Sequence, residues 1–128
     1  MTAKQRSYRL GDLQLTIMRV LWNRGPASVA AVQRELEGKP LAYTTVATML
    51  RKMEQRQLVR HRTAHRRFVY EAAVTAEEVT RSMAADLVDR LFEGSLAETV
   101  SHLLETREVS RRELDRLEQL VAERKMRP

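Results

Sequence analysis

Apolar residues recur along this chain at helical spacing in six stretches, and the breaks between them mark the elements. Leu10, Leu13, Ile17, Val20 and Leu21, with Met18 and Trp22 beside them, predict a first helix that Gly25-Pro26 ends. Ser28 is placed to cap a second, short helix buried through Val29, Val32 and Leu36, which stops at Gly38-Lys39-Pro40. In the third stretch, over 43–59, a turn of about 100° per residue gathers Val46, Met49, Leu50 and Met53 into one arc, the stripe that must face the first two helices. Alternation then replaces helical spacing. Leu58-Val59-Arg60-His61-Arg62 and Arg67-Phe68-Val69-Tyr70 read as two short strands joined by a tight loop with its tip near Thr63 to Arg66.

The second half carries three helix starts of one kind. Thr75-Ala76-Glu77-Glu78, Ser95-Leu96-Ala97-Glu98 and Ser110-Arg111-Arg112-Glu113 each fit the capping box, in which hydroxyl and carboxylate satisfy backbone donors reciprocally. The stripes behind them are Val79, Met83, Leu87, Val88 and Leu91, then Leu96, Val100, Leu103 and Leu104, then Leu114, Leu117, Leu120 and Val121. Gly94 fits the stop of the first of these helices. Helix, helix, helix, hairpin is the order of a winged helix-turn-helix. The expected architecture is therefore mainly α with a small β-hairpin. A winged helix-turn-helix DNA-binding domain over 8–74 is followed by a three-helix dimerisation region over 75–125. The first domain's stripes account for its own core, whereas three short apolar helices without a sheet need another surface. The economical one is a second copy, which buries Val79, Met83, Leu87, Leu91, Val100, Leu103, Leu104, Leu114, Leu117 and Val121 and gives a twofold homodimer. The simpler alternative has these helices folding back on their own winged domain.

Charge sharpens this division. Residues 1–74 carry 14 Lys and Arg against 5 Asp and Glu, net +9, whereas residues 75–128 carry 9 against 12, net −3. A basic half implies a polyanionic partner, and a mildly acidic, Leu-rich half implies contact with protein.

The third helix supplies the chemistry. Threonine is a poor helix former, yet Thr44, Thr45 and Thr48 crowd its opening turns. Thr44, Thr48, Arg51 and Gln55 lie opposite the apolar arc, Ala47 and Lys52 flank them, and Thr45 sits nearer the core boundary. Hydroxyls, methyls and positive charge suit the DNA major groove, where Thr meets base edges or the thymine methyl and Arg grips guanine. Thr44, Thr45, Thr48 and Arg51 are the expected base contacts. Lys52, Gln55, Arg60, Arg62, His65, Arg66 and Arg67 are the expected phosphate contacts. Six of the eight residues from 60 to 67 are basic when His is counted, a hairpin that repels itself unless it lies on phosphate. His61 and His65 are spaced as metal ligands on a helix, but in a hairpin they need not converge, so neither metal nor cofactor is expected.

Composition removes other classes. There is no Cys, hence no disulfide or thiolate chemistry, and no run approaches a membrane span. The N-terminal MTAKQRSYRL lacks an apolar signal core, so a cytoplasmic protein without membrane insertion is expected. No carboxylate pair, Ser-His-Asp set or phosphate loop marks an enzyme. A second reading is a basic protein-interaction adaptor that uses the winged-helix fold without sequence-specific DNA binding.

Four stretches, LGDLQLTIMRVLW (10–22), AYTTVATMLRKMEQRQLV (42–59), RRFVYEAAVTAEE (66–78) and LFEGSLAETVSHLL (91–104), resemble the penicillinase repressor family of BlaI/MecI-type winged-helix regulators. The resemblance implies a homodimeric bacterial repressor on palindromic operators with TACA/TGTA-like half-sites, upstream of β-lactamase or other stress-response genes. It puts Thr45, Thr48 and Lys52 near DNA. Three departures accompany it. Gln57 stands where the family usually has Gly, so this corner must adopt a left-handed conformation at about 1 kcal/mol or turn differently. The copper-responsive branch carries a Cys-x-Cys motif that a Cys-free chain lacks. In the antibiotic-responsive branch a membrane sensor with a metalloprotease domain leads to repressor cleavage between Asn and Phe, and the matching bond here is His102-Leu103.

Overall fold

A computed structural model describes residues 8–36, 38 and 40–128. The chain forms α1 (Asp12–Arg24), β1 (Ala27–Ser28), α2 (Val29–Glu35), α3 (Tyr43–Gln55), β2 (Val59–Ala64), β3 (Arg67–Ala72), α4 (Ala76–Leu91), α5 (Leu96–Thr106) and α6 (Arg111–Lys125). It divides into two compact units, a first ending at Asp86 and a second spanning Leu87–Pro128. Lys39, part of the expected stop of α2, and residues 1–7, which include most of the apparent non-signal N-terminus, lie outside the described residues.

In the first unit the three stripes converge as their spacing requires. Ile17 and Met18 of α1, Val32 of α2, and Val46, Leu50 and Met53 of α3 are fully buried. Removing each such side chain from water contributes about 2 kcal/mol. Ser28 does cap α2, accepting from the Ala31 amide at 3.2 Å. It also does something its spacing did not suggest. Ala27 and Ser28 pair with Tyr70 and Val69, so the expected two-stranded hairpin is the larger part of a three-stranded antiparallel sheet in the order β1-β3-β2. Two residues after Gly-Pro are too few to register as a strand by alternation.

The corner from α3 into β2 resolves the question raised by Gln57. Its φ is 63°, so it takes the left-handed conformation itself. Its amide donates to the Glu54 carbonyl and the Leu58 amide to the Met53 carbonyl, both at 2.9 Å, the bonding pattern of a Schellman C-cap. Leu58 and Met53 are both buried, which supplies the apolar contact that accompanies this motif. The wing tip repeats the left-handed conformation. Ala64 pairs with Arg67, and His65 and Arg66 between them have φ of 52° and 63°, as a type I′ two-residue turn requires.

The helix starts of the second half form where the capping boxes put them. Thr75 makes both arms, its Oγ1 accepting from the Glu78 amide at 3.1 Å while Glu78 Oε1 accepts from the Thr75 amide at 3.3 Å. Ser95 and Ser110 accept from the Glu98 and Glu113 amides, both at 3.1 Å. The assignment of α4 needs correction. Val79, expected at a dimer interface, is 1% exposed in the core of the first unit, and Met83 packs against that core. The Tyr8 amide donates to Ser82 Oγ at 2.9 Å, a further tie between the start of the unit and α4. The first unit thus extends well beyond residue 74.

A candidate nucleic-acid interface

The outward side of α3 carries Thr44, Thr45, Thr48, Arg51, Lys52 and Gln55, all exposed. Thr45 belongs to this surface, not to the core boundary. Ala42, at the N-cap, has no side-chain oxygen to satisfy the first-turn amides, and only the Thr45 amide turns back to the Ala42 carbonyl, at 3.1 Å, an uncapped helix start that suits an anion. Beside the helix, the hairpin presents Arg60, Arg62, His65, Arg66 and Arg67, also exposed. Arg60 is partly occupied, its Nε lying 3.1 Å from Glu71 Oε1 of the residue opposite it in the ladder. Among the described residues Arg51, Lys52, Arg62, Arg66 and Arg67 have no acidic partner within salt-bridge distance. Uncompensated cations on both the helix and the hairpin favour a polyanion.

Between the start of α3 and the wing lies a cleft of about 610 Å³ whose walls include Tyr43, Ala47, Arg51, Arg66, Arg67 and Phe68. Tyr43 is 53% exposed and Phe68 50%. Neither was picked out from the sequence as an interface residue. Phe68 sits on the same ladder face as His61 and Tyr70, and that parity with an exposed strand position was the available signal. Burial, then the nearby Glu54 carboxylate, push the Tyr70 hydroxyl above its ordinary range, so it remains a neutral phenol at the base of this cleft.

The two imidazoles occupy different places. His65 is in the wing turn, whereas the His61 ring stacks on Phe68 at 4.1 Å and its Nδ1 lies 2.7 Å from the Glu54 carboxylate. Arg56 turns away from the wing, donating to the Arg9 carbonyl at 2.8 Å and to Gln14 Oε1 at 3.0 Å.

In the second unit the expected interface residues Leu87, Leu91, Val100, Leu103, Leu104, Leu114 and Val121 are all exposed, Leu91 by 70% and Val121 by 55%. Leu117 is half-buried, and with Val100, Leu104, Leu114 and Val121 it lines an apolar groove of about 500 Å³ between α5 and α6. Thr99 is the one buried residue among those described from 87 onward. The His102-Leu103 bond is inside α5, where the His102 carbonyl accepts from Thr106 Oγ1 at 2.9 Å.

A winged helix-turn-helix with uncompensated cations on its third helix and its wing defines the class: a DNA-binding transcriptional regulator. The sequence model of the penicillinase repressor family matches residues 10–123, and the chain belongs to that family. It is 25% identical over 120 residues to a penicillinase repressor of Bacillus licheniformis, covering 93% of this chain and 94% of that one. It is 33% identical over 121 residues to the transcriptional regulator BlaI of Mycobacterium tuberculosis, covering 90% of this chain and 84% of that one. A crystal structure of overoxidized AbfR bound to DNA matches 74% of each chain with a TM-score of 0.46 and 21% identity, a likeness too loose to carry weight. Among the described residues no helix is long and apolar enough to cross a membrane.

Proposed function

We propose that this chain is a homodimeric repressor that occupies a palindromic operator with TACA/TGTA-like half-sites, controlling antibiotic- or stress-response genes. The observation that carries this reading is a division of labour. One unit has a complete core and uncompensated cations on α3 and its wing, and the other exposes its leucines around an apolar groove. A unit without an apolar core gains stability by burying that groove against a second copy, and a twofold pair sets two α3 helices on DNA about one turn, roughly 34 Å, or a multiple of it apart.

Thr44, Thr45, Thr48 and Arg51 read bases, and Lys52, Gln55, Arg60, Arg62, His65, Arg66 and Arg67 hold phosphate. Arg60 does so more weakly than the rest, because Glu71 already shares its guanidinium. The same reading admits induction by a membrane sensor metalloprotease cutting at His102-Leu103. A protease needs an extended substrate, so α5 must unwind locally before that bond is cut.

Sedimentation of the purified chain at micromolar concentration, with titration of inverted-repeat and scrambled duplexes over a salt series, tests the proposal. A dimer that prefers the inverted repeat supports it. A monomer, or equal affinity for both duplexes, ends it.

A further inference from the structure

We infer that Glu54 is a positioning residue for DNA recognition, fixing the wing to the recognition helix through His61; this rests on the repressor reading above. Glu54 is the one carboxylate on α3, and it stands on a helix that otherwise faces DNA with hydroxyls and cations. By charge alone it opposes binding. The contacts it makes explain its presence.

Strand β2 is at the edge of the sheet, bonded to β3 on one side only. The two-residue turn makes Ala64 and Arg67 a hydrogen-bonded pair, so Arg60 and Arg62 also direct their amides to β3, and His61 directs its amide outward. Glu54 meets that free donor. Its Oε2 accepts from the His61 amide at 3.1 Å, and the His61 ring Nδ1 lies 2.7 Å from both carboxylate oxygens. The ring is itself held, stacked on Phe68 at 4.1 Å and tilted against Tyr70 at 5.5 Å. One carboxylate therefore grips the wing strand by backbone and side chain together. It fixes the angle between the elements that meet bases and those that meet phosphate, and the same contacts draw its negative charge away from the duplex.

The clamp and simple electrostatics predict opposite signs. Removing a carboxylate from a basic face tightens binding to every DNA alike. Loosening a clamp weakens only binding that needs both elements in register. The experiment titrates the wild-type chain, Glu54→Ala, His61→Asn and His61→Phe with a duplex that the wild type selects from a random pool and with its scrambled counterpart. Exchange of the His61 amide is followed without DNA. Glu54→Ala is expected to bind the selected duplex about tenfold more weakly and the scrambled duplex at least as tightly, with exchange of the His61 amide about tenfold faster. His61→Asn, whose side-chain N–H stands where the ring Nδ1 does, should stay within about threefold of wild type, and His61→Phe, which keeps the stack and loses the donor, should follow Glu54→Ala.

Equal tightening on both duplexes overturns the inference and leaves Glu54 a repulsive charge. Equal weakening on both, tracking a lower melting temperature, overturns it in favour of a role in folding alone. A wild type that fails to discriminate between the duplexes removes the repressor reading and the clamp's role with it. Unchanged His61 exchange in Glu54→Ala instead refutes the clamp by itself.

Discussion

Helices α3 and α6 are amphipathic by the same arithmetic and differ in what became of their apolar stripes. Val46, Leu50 and Met53 of α3 are fully buried, whereas Leu114, Leu120 and Val121 of α6 are exposed and α6 has no buried residue. Each helix has at least one well-made end. Ser110 caps α6 with a hydroxyl, and a Schellman corner closes α3. Capping and periodicity thus set where a helix forms and which side is apolar. They do not say what covers that side. The α3 stripe meets α1 and α2 within 40 residues of chain, and the α6 stripe stays exposed.

The largest break in this comparison comes from truncating each stripe. Leu50→Ala should cost about 3 kcal/mol, because the cavity it leaves is enclosed on all sides. Urea unfolding monitored through Trp22, whose indole Nε1–H donates to the Val74 carbonyl at 2.9 Å inside the first unit, measures it. Leu120→Ala should shift the same transition by less than about 0.5 kcal/mol. An equal loss from both would mean that α6 is buried in the free chain and that its exposure needs no second copy.

Charging the open stripe is next in size. Val121→Asp places a carboxylate in the groove formed with Val100, Leu104, Leu114 and Leu117, and should weaken self-association about a hundredfold. The Trp22 transition should stay in place. Sedimentation equilibrium reads the first quantity and urea unfolding the second. Association unchanged by this carboxylate would remove the groove from the dimer contact.

Within the first unit the comparison narrows to base and phosphate contacts. Thr48→Ala should lower affinity for the selected duplex about fivefold and leave random DNA alone, and Arg66→Ala should weaken both and lower the salt slope by about 1. Titration of each variant at four or more salt concentrations separates them. Equal loss of specificity in both would abolish the assignment of threonines to bases and arginines to phosphate.

The same contrast explains what could be read before any coordinates. Stripes three and four apart located the six helices of the described residues, since a buried face must repeat with the helix turn, and Thr75, Ser95 and Ser110 announced three starts correctly. Val79 was misplaced because an apolar position carries no address; its periodicity suits a partner chain and its own domain equally, and packing chose the domain. Ala27 and Ser28 were missed as a strand because two residues have no measurable alternation. The exposed cations of the interface were legible as a charge run. Phe68 was legible only through its strand parity, and its meeting with Tyr43, His61 and Glu54 was not, because hairpin register and an edge amide bring them together and no local pattern encodes either.

The smallest expected effect concerns the two left-handed sites of the wing, at Gln57 and at His65-Arg66. A non-glycine residue there is strained by about 1 kcal/mol, and glycine returns part of that gain by loosening the unfolded chain. Gln57→Gly should therefore raise stability by about 0.5 kcal/mol. Affinity should not change, because Gln57 already holds the Schellman geometry that glycine would adopt. Arg66→Gly should gain similarly in stability and lose DNA affinity, because its strain accompanies a cation at the wing tip. Thermal melts paired with titrations of the two variants measure both quantities. Altered affinity in Gln57→Gly would mean that the strained corner, and not the Glu54 contact alone, sets the wing's angle to α3.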